Sequence, residues 1–187
     1  MAHWRLPLLL ALLCVALQGL GWDEALRYER ALLGSEPWRL LGAHLVHLGW
    51  THLLLNLAAL ALIWALCGHA LPVPAWGPVL ALCALAVSLG LYLRDVEVGW
   101  YVGLSGVLHG LLVCGALAGW RREPRTSLVL LIGTGAKLAW EQLAGAAIGT
   151  QALVGGAVIV NAHLYGALGG GLGALLLDLG RRWRQRP

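Results

Sequence analysis

The chain has no phenylalanine, one methionine and very little charge. Only 12% of its 187 residues are Asp, Glu, Lys or Arg, while 59% are hydrophobic. A soluble domain of this size carries about twice that charged fraction, so the scarcity of charge excludes an ordinary water-facing surface. The apolar residues lie in long blocks rather than in 3.6-residue stripes. Helices built from them are greasy on every side, as in a membrane bundle. Mean hydropathy of +0.76 agrees. CxxC pairs are absent, and Cys14, Cys67, Cys83 and Cys114 sit in or beside apolar segments. They read as small lipid- or core-facing residues rather than metal ligands or disulfides. An HExxH pair is also absent, which removes the zinc-peptidase pattern. The net charge of +4 does not indicate nucleic acid, because the charges gather at the ends of apolar blocks, where they act as topology signals.

Six apolar blocks are present, at about 6–21, 46–67, 75–93, 104–120, 126–144 and 160–179. Each is near the roughly 17–25 residues that a bilayer requires, and two are short. The expected fold is therefore all-α, a polytopic membrane protein with six transmembrane helices and a single domain over 1–187. No linker is long enough to separate a second domain. Ten tryptophans replace the missing phenylalanine, several at block ends (Trp4, Trp22, Trp50, Trp76, Trp100, Trp120), where the headgroup boundary favours them.

With the N-terminus in the cytoplasm, that side holds Arg5, Arg121, Arg122, Arg125, Arg181, Arg182, Arg184 and Arg186. The opposite side holds only Arg27, Arg30, Arg39 and Arg94, beside Asp23, Glu24, Glu29, Glu36, Asp95 and Glu97. The positive-inside rule then places both termini in the cytoplasm. A cleaved signal peptide is the alternative for the first block, and charge counting does not separate the two.

Polar side chains inside membrane helices cost a few kcal/mol and usually serve a function. Here they gather in three places, all towards the outer half of the bilayer. The first is His47-Leu-Gly-Trp-Thr-His52-Leu-Leu-Leu-Asn56, in which His52 and Asn56 share a helix face. The second is Gly103-Leu-Ser105-Gly106, opening the fourth block. The third is Ala162-His163-Leu-Tyr165-Gly166, on the sixth. Gly166 and Gly170 form a small-xxx-small face, and Gly106 and Gly110 form another. If these faces pack, Ser105 and His163 meet as nucleophile and base, with His52 and Asn56 as oxyanion donors. Taken singly, each feature has a plainer reading: a helix cap, a packing histidine, ordinary helix contact. Lys137 and Glu141, four apart in the fifth block, read as a buried ion pair that fixes helix packing, or as a substrate or partner contact.

The order HxxxN, GxSG, AHxxGxxxG on the second, fourth and sixth helices resembles the rhomboid protease family. Trp38-Arg39 adds to the resemblance, standing nine residues before His47 in the outer loop. The resemblance implies a Ser105–His163 dyad without a third carboxylate member and without a cofactor. It also implies His52 and Asn56 in the oxyanion hole with backbone N–H groups, and a Trp-Arg loop half in the membrane beside the site. Many rhomboids carry Tyr four residues after the nucleophile, where this chain has His109, an expected auxiliary group beside His163. His44 lies one residue from the site of a further family histidine. The strings WYVGLSGVLHG, KLAWEQ and NAHLYGA look most like the rhombosortase subfamily of Gram-negative bacteria. That implies secreted substrates with a C-terminal Gly-Gly motif, transmembrane tail and basic cluster. It also implies residence in the bacterial inner membrane, with the site opening to the periplasm.

The alternatives are a general rhomboid protease of other transmembrane substrates and a membrane haem or metal protein using His44, His47, His52, His109 and His163. Against the latter, the sequence suggests no Asp or Glu near these histidines to support a metal. Oligomeric state is left open.

Overall fold

Backbone in hydrocarbon has to satisfy its own hydrogen bonds, so long apolar blocks have little choice but helix. A computed structural model of the chain describes residues 2–184; Arg186, counted above among the cytoplasmic arginines, lies outside the described residues. Six long helices follow the six blocks. They are α1 (Arg5–Leu20), α4 (Trp50–Cys67), α5 (Val73–Arg94), α6 (Ser105–Gly119), α7 (Pro124–Ala144) and α9 (Val160–Arg184). Three short helices lie in the loops, α2 (Asp23–Leu26), α3 (Arg39–Gly42) and α8 (Thr150–Val154). By length and composition, Trp50–Ala70, Val73–Arg94 and Val160–Trp183 suffice to cross a membrane. α1 and α6 are apolar but shorter, and α7 carries Arg125, Lys137 and Glu141.

The outward faces are rich in leucine, including Leu54, Leu62, Leu93, Leu168 and Leu175, each more than half exposed. Apolar surface of that extent calls for a lipid surround rather than water. Burial is confined to inner stripes: on α1 it falls on Pro7, Leu10, Cys14 and Leu17, one helical face. Among the described residues no disulfide forms, and all four cysteines are buried thiols.

α6 is the hub. It packs on α4, α5, α7 and α9, and most extensively on α9. Its small residues permit this. A Cβ on Gly106 would stand 2.7 Å from the Ala162 carbonyl oxygen, and one on Gly110 would strike Cys83 Sγ and the Gly166 carbonyl. In return, a Cβ on Gly166 would strike the Gly106 carbonyl, and one on Gly170 the Gly110 carbonyl. The four glycines alternate between the two helices, so the backbones touch.

Two features depart from the sequence reading. The second helix begins at Trp50 rather than 46, which leaves His47 in the loop ahead of it. The outer loops also contain a strand pair: β1 (Tyr28–Glu29) runs antiparallel to β2 (Trp100–Tyr101), pairing Tyr28 with Tyr101. Two-residue strands carry no periodic signal, and tertiary partners decide them. Arg30 anchors the pair by donating to the carbonyls of Leu91, Tyr92, Asp95 and Val98 around the C-terminus of α5. That is where a cation complements unpaired helix carbonyls.

The glycine contact can be tested against its neighbour. Gly170→Val should destabilise the protein by about 1–3 kcal/mol or abolish folding through overpacking. Gly171→Val has nothing within 4 Å and should leave the melting temperature nearly unchanged in detergent.

Candidate active site

Ser105 is the first residue of α6, and His163 lies three residues into α9. The glycine contact brings their helices together, and Ser105 Oγ stands 3.0 Å from His163 Nε2. His163 is buried, 6% exposed. Its other ring nitrogen, Nδ1, lies 2.9 Å from Glu141 Oε2 and 3.1 Å from Oε1. An ionised carboxylate only accepts hydrogen bonds, so Nδ1 carries the ring proton. Nε2 is then left as an acceptor for the Ser105 hydroxyl. The structure thus puts a carboxylate where the resemblance implied none, and it corrects the expectation that no acid stands near the histidines.

Glu141 also accepts from Lys137 Nζ at 2.5 Å. The pair exists, then, but both oxygens of its carboxylate also lie within hydrogen-bond reach of His163, and the Lys137 side chain is 48% exposed rather than buried. The sequence offered only a positional hint of this, not the partner itself. Glu141 lies three residues before the end of α7 and His163 three residues after the start of α9, with one loop between. Both therefore sit about 4.5 Å inside the same end of the bundle.

His109, one turn after Ser105, stacks on His163 with centroids 4.4 Å apart and planes at 20°. Its Nδ1 donates to the Ser105 carbonyl at 2.8 Å, which fixes the ring's orientation. The ring covers one face of the histidine, where a Tyr stands in many rhomboids. His109, Glu141 and His163 also bring possible ligand atoms within 4.8 Å of one another, a spacing that a metal ion would accept.

Gly103 has φ +123°, a conformation that favours glycine, and a Cβ there would lie 2.8 Å from His52 Cε1. The backbone therefore turns beneath the His52 ring before entering α6, held by Gly103 N–H to the Ala43 carbonyl at 2.9 Å and by Tyr101 OH to the Gly103 carbonyl at 3.0 Å. His52 Nδ1 accepts from Leu48 N–H at 3.4 Å, leaving Nε2 as the protonated nitrogen. Asn56 is 4% exposed and donates through Nδ2 to the His52 carbonyl at 3.0 Å. No side chain caps α6, so the N–H groups of its first turn have no partner within the helix, and Ser105 at its start borders the same space as His52 and Asn56.

That space is a cavity of about 870 Å³. Ser105, His109, His163, His52, Asn56, Lys137 and Glu141 all line it, between α4 and α7 and beneath the α8 loop. Other sequence candidates lie elsewhere. His47 is buried with its ring edge against His52, centroids 5.1 Å apart. His44 Nε2 donates to Ser88 Oγ at 3.1 Å, and Ser88 donates to the Leu40 carbonyl, tying the α3 loop to α5. Trp38 and Arg39 do not line the cavity among the described residues. Arg39 is buried and braces the outer loop, donating to Glu36 at 2.6 Å and to the carbonyls of Glu24 and Arg27. Trp38 donates to the Ala25 carbonyl at 3.3 Å. Gly106, Gly166 and Gly170 serve the helix contact already described.

Compared with known protein families, the chain matches the Rhomboid domain over residues 34–178, a stretch that includes every side chain at the cavity. No match was found among curated proteins.

The stacked pair generates its own expectation. His109→Phe keeps a ring against His163, and His109→Ala removes it. The rate at which a fluorophosphonate labels Ser105 should fall further in the alanine variant than in the phenylalanine variant.

Proposed function

The chain belongs to the rhomboid family, whose members are intramembrane serine proteases, and we propose that in it Ser105 is the nucleophile and His163 the general base. The observation that carries this reading is the 3.0 Å contact between Ser105 Oγ and His163 Nε2 across the glycine-lined helix pair. Ser105 Oγ attacks a peptide carbonyl carbon while its proton passes to Nε2. The resulting oxyanion is held by the first-turn N–H groups of α6 with His52 Nε2–H and Asn56 Nδ2–H. Collapse breaks the C–N bond, and His163 returns the proton to the leaving amine. Water then attacks the acyl-serine, again giving its proton to His163, and release of the carboxyl product restores Ser105.

The substrate is a transmembrane segment lying in the cavity between α4 and α7. We read it as the C-terminal tail of a secreted protein, cut near a Gly-Gly motif ahead of the hydrophobic stretch, in the manner of rhombosortases. The strings around Ser105, Lys137 and His163 support this reading. Glycine disfavours helix by about 1 kcal/mol per residue, so such a segment leaves the helical state readily and exposes its carbonyl. All six long helices cross the membrane in this reading. Arginine placement supports cytoplasmic termini and a site open to the periplasm of a bacterial inner membrane.

Co-expression with a Gly-Gly-tailed substrate tests the assignment. Ser105→Ala and His163→Ala should both abolish cleavage, and continued cutting by either would sink it. Replacing the substrate's Gly-Gly with Val-Val should stop cleavage by the wild type; unchanged processing would count against the substrate class. Asn56→Ala should lower kcat by about 10²–10³-fold with a smaller change in KM, because its donor matters most in the transition state.

A further inference from the structure

Beyond the two residues that react, we propose that Glu141 is the positioning carboxylate of the base, making the centre a Ser105–His163–Glu141 triad. The inference rests on the serine-protease reading above and adds a third member to it.

Three observations carry it. Glu141 engages the one ring nitrogen of His163 that the serine does not, with both carboxylate oxygens within 3.1 Å. That geometry selects the tautomer with hydrogen on Nδ1 and an open acceptor on Nε2, the form a general base requires. Both partners are buried, each side chain about 8% exposed, so the bond is largely screened from bulk water. Finally, an acid in an apolar helix is costly, and a contact needed only for packing would be served as well by an apolar pair. When His163 takes the serine proton, the imidazolium faces a fixed negative charge, and Glu141 stays ionised throughout. Lys137 supplies the counter-charge that keeps the carboxylate ionised before the reaction, and its exposed ammonium reaches the cavity. His109 holds the other constraint on the ring, its plane, so the base is fixed both along its edge and across its face.

A structural ion pair is the competing account, and the variants separate the two. The full chain in detergent is labelled with a fluorophosphonate and assayed on a cleavable substrate. Glu141→Gln should slow labelling by about 10²–10⁴-fold, as expected when the base loses its orienting acid. The loss should fall on kcat more than on KM. Glu141→Asp should recover part of the rate, and Lys137→Met should cost far less than Glu141→Gln. If Glu141→Gln does not fold, the other two variants decide. A purely structural pair makes Lys137→Met as damaging as any Glu141 change, which would overturn the proposal. Equal rates for wild type and Glu141→Gln, with Ser105→Ala unlabelled, would overturn the triad alone. Labelling of Ser105→Ala at the wild-type rate would overturn the protease reading and the triad together. Faster labelling on adding a chelator would also overturn it, since His109, Glu141 and His163 would then be holding a metal.

Discussion

Everything at the site depends on the contact of two helix backbones. α6 and α9 approach so closely that Gly106 and Gly110 of one and Gly166 and Gly170 of the other each occupy the space a side chain would need across the contact. In lipid there is no hydrophobic force to press two helices together, so shape and dispersion have to do it. A contact this tight has little slack. It fixes both the axial and the rotational register of Ser105 against His163, to within the tolerance a hydrogen bond permits. The reactive pair is thus set by residues that have no side chains at all.

Around that contact, the polar groups nearest Ser105 and His163 are bonded to one another. His163 is bonded at both nitrogens, Glu141 divides its carboxylate between His163 and Lys137, and His109 is tied to the carbonyl of Ser105. Arg30 and Arg39 do similar work in the outer loops, each satisfying several main-chain carbonyls at once. A buried polar network is favourable only when its members are paired, and pairing also removes alternative rotamers. The network therefore stiffens the outer end of the bundle, while α7, which packs on α6 and α9 beside the cavity, bears the more exposed surface.

Much of this was legible in the sequence. Helix positions followed from apolar block length, and Ser105, His163, His52 and Asn56 stood out because polar residues are scarce in such blocks. Their convergence could be anticipated from glycine spacing. What could not be read was partner choice. Lys137 and Glu141 at i and i+4 satisfy each other on paper, and nothing in a one-dimensional pattern says that the carboxylate has a second face. The strand pair at Tyr28 and Tyr101 was equally hidden, because it joins segments far apart in sequence and too short to show a period. The same limit applied to Arg39, whose partners are carbonyls and leave no trace in residue identity.

α6 has 15 residues and is about 22 Å long, whereas the hydrocarbon layer is about 30 Å thick. If α6 spans the bilayer as proposed, with its arginine-flanked end at one boundary, it stops about 8 Å below the other, a depth of about five helical residues. In that arrangement the proposed nucleophile is recessed rather than level with the lipid surface. A bond is reached only if it lies at that depth when its own segment is seated. Such a centre measures position along the membrane normal as well as side-chain identity, and its selectivity is partly that of a ruler.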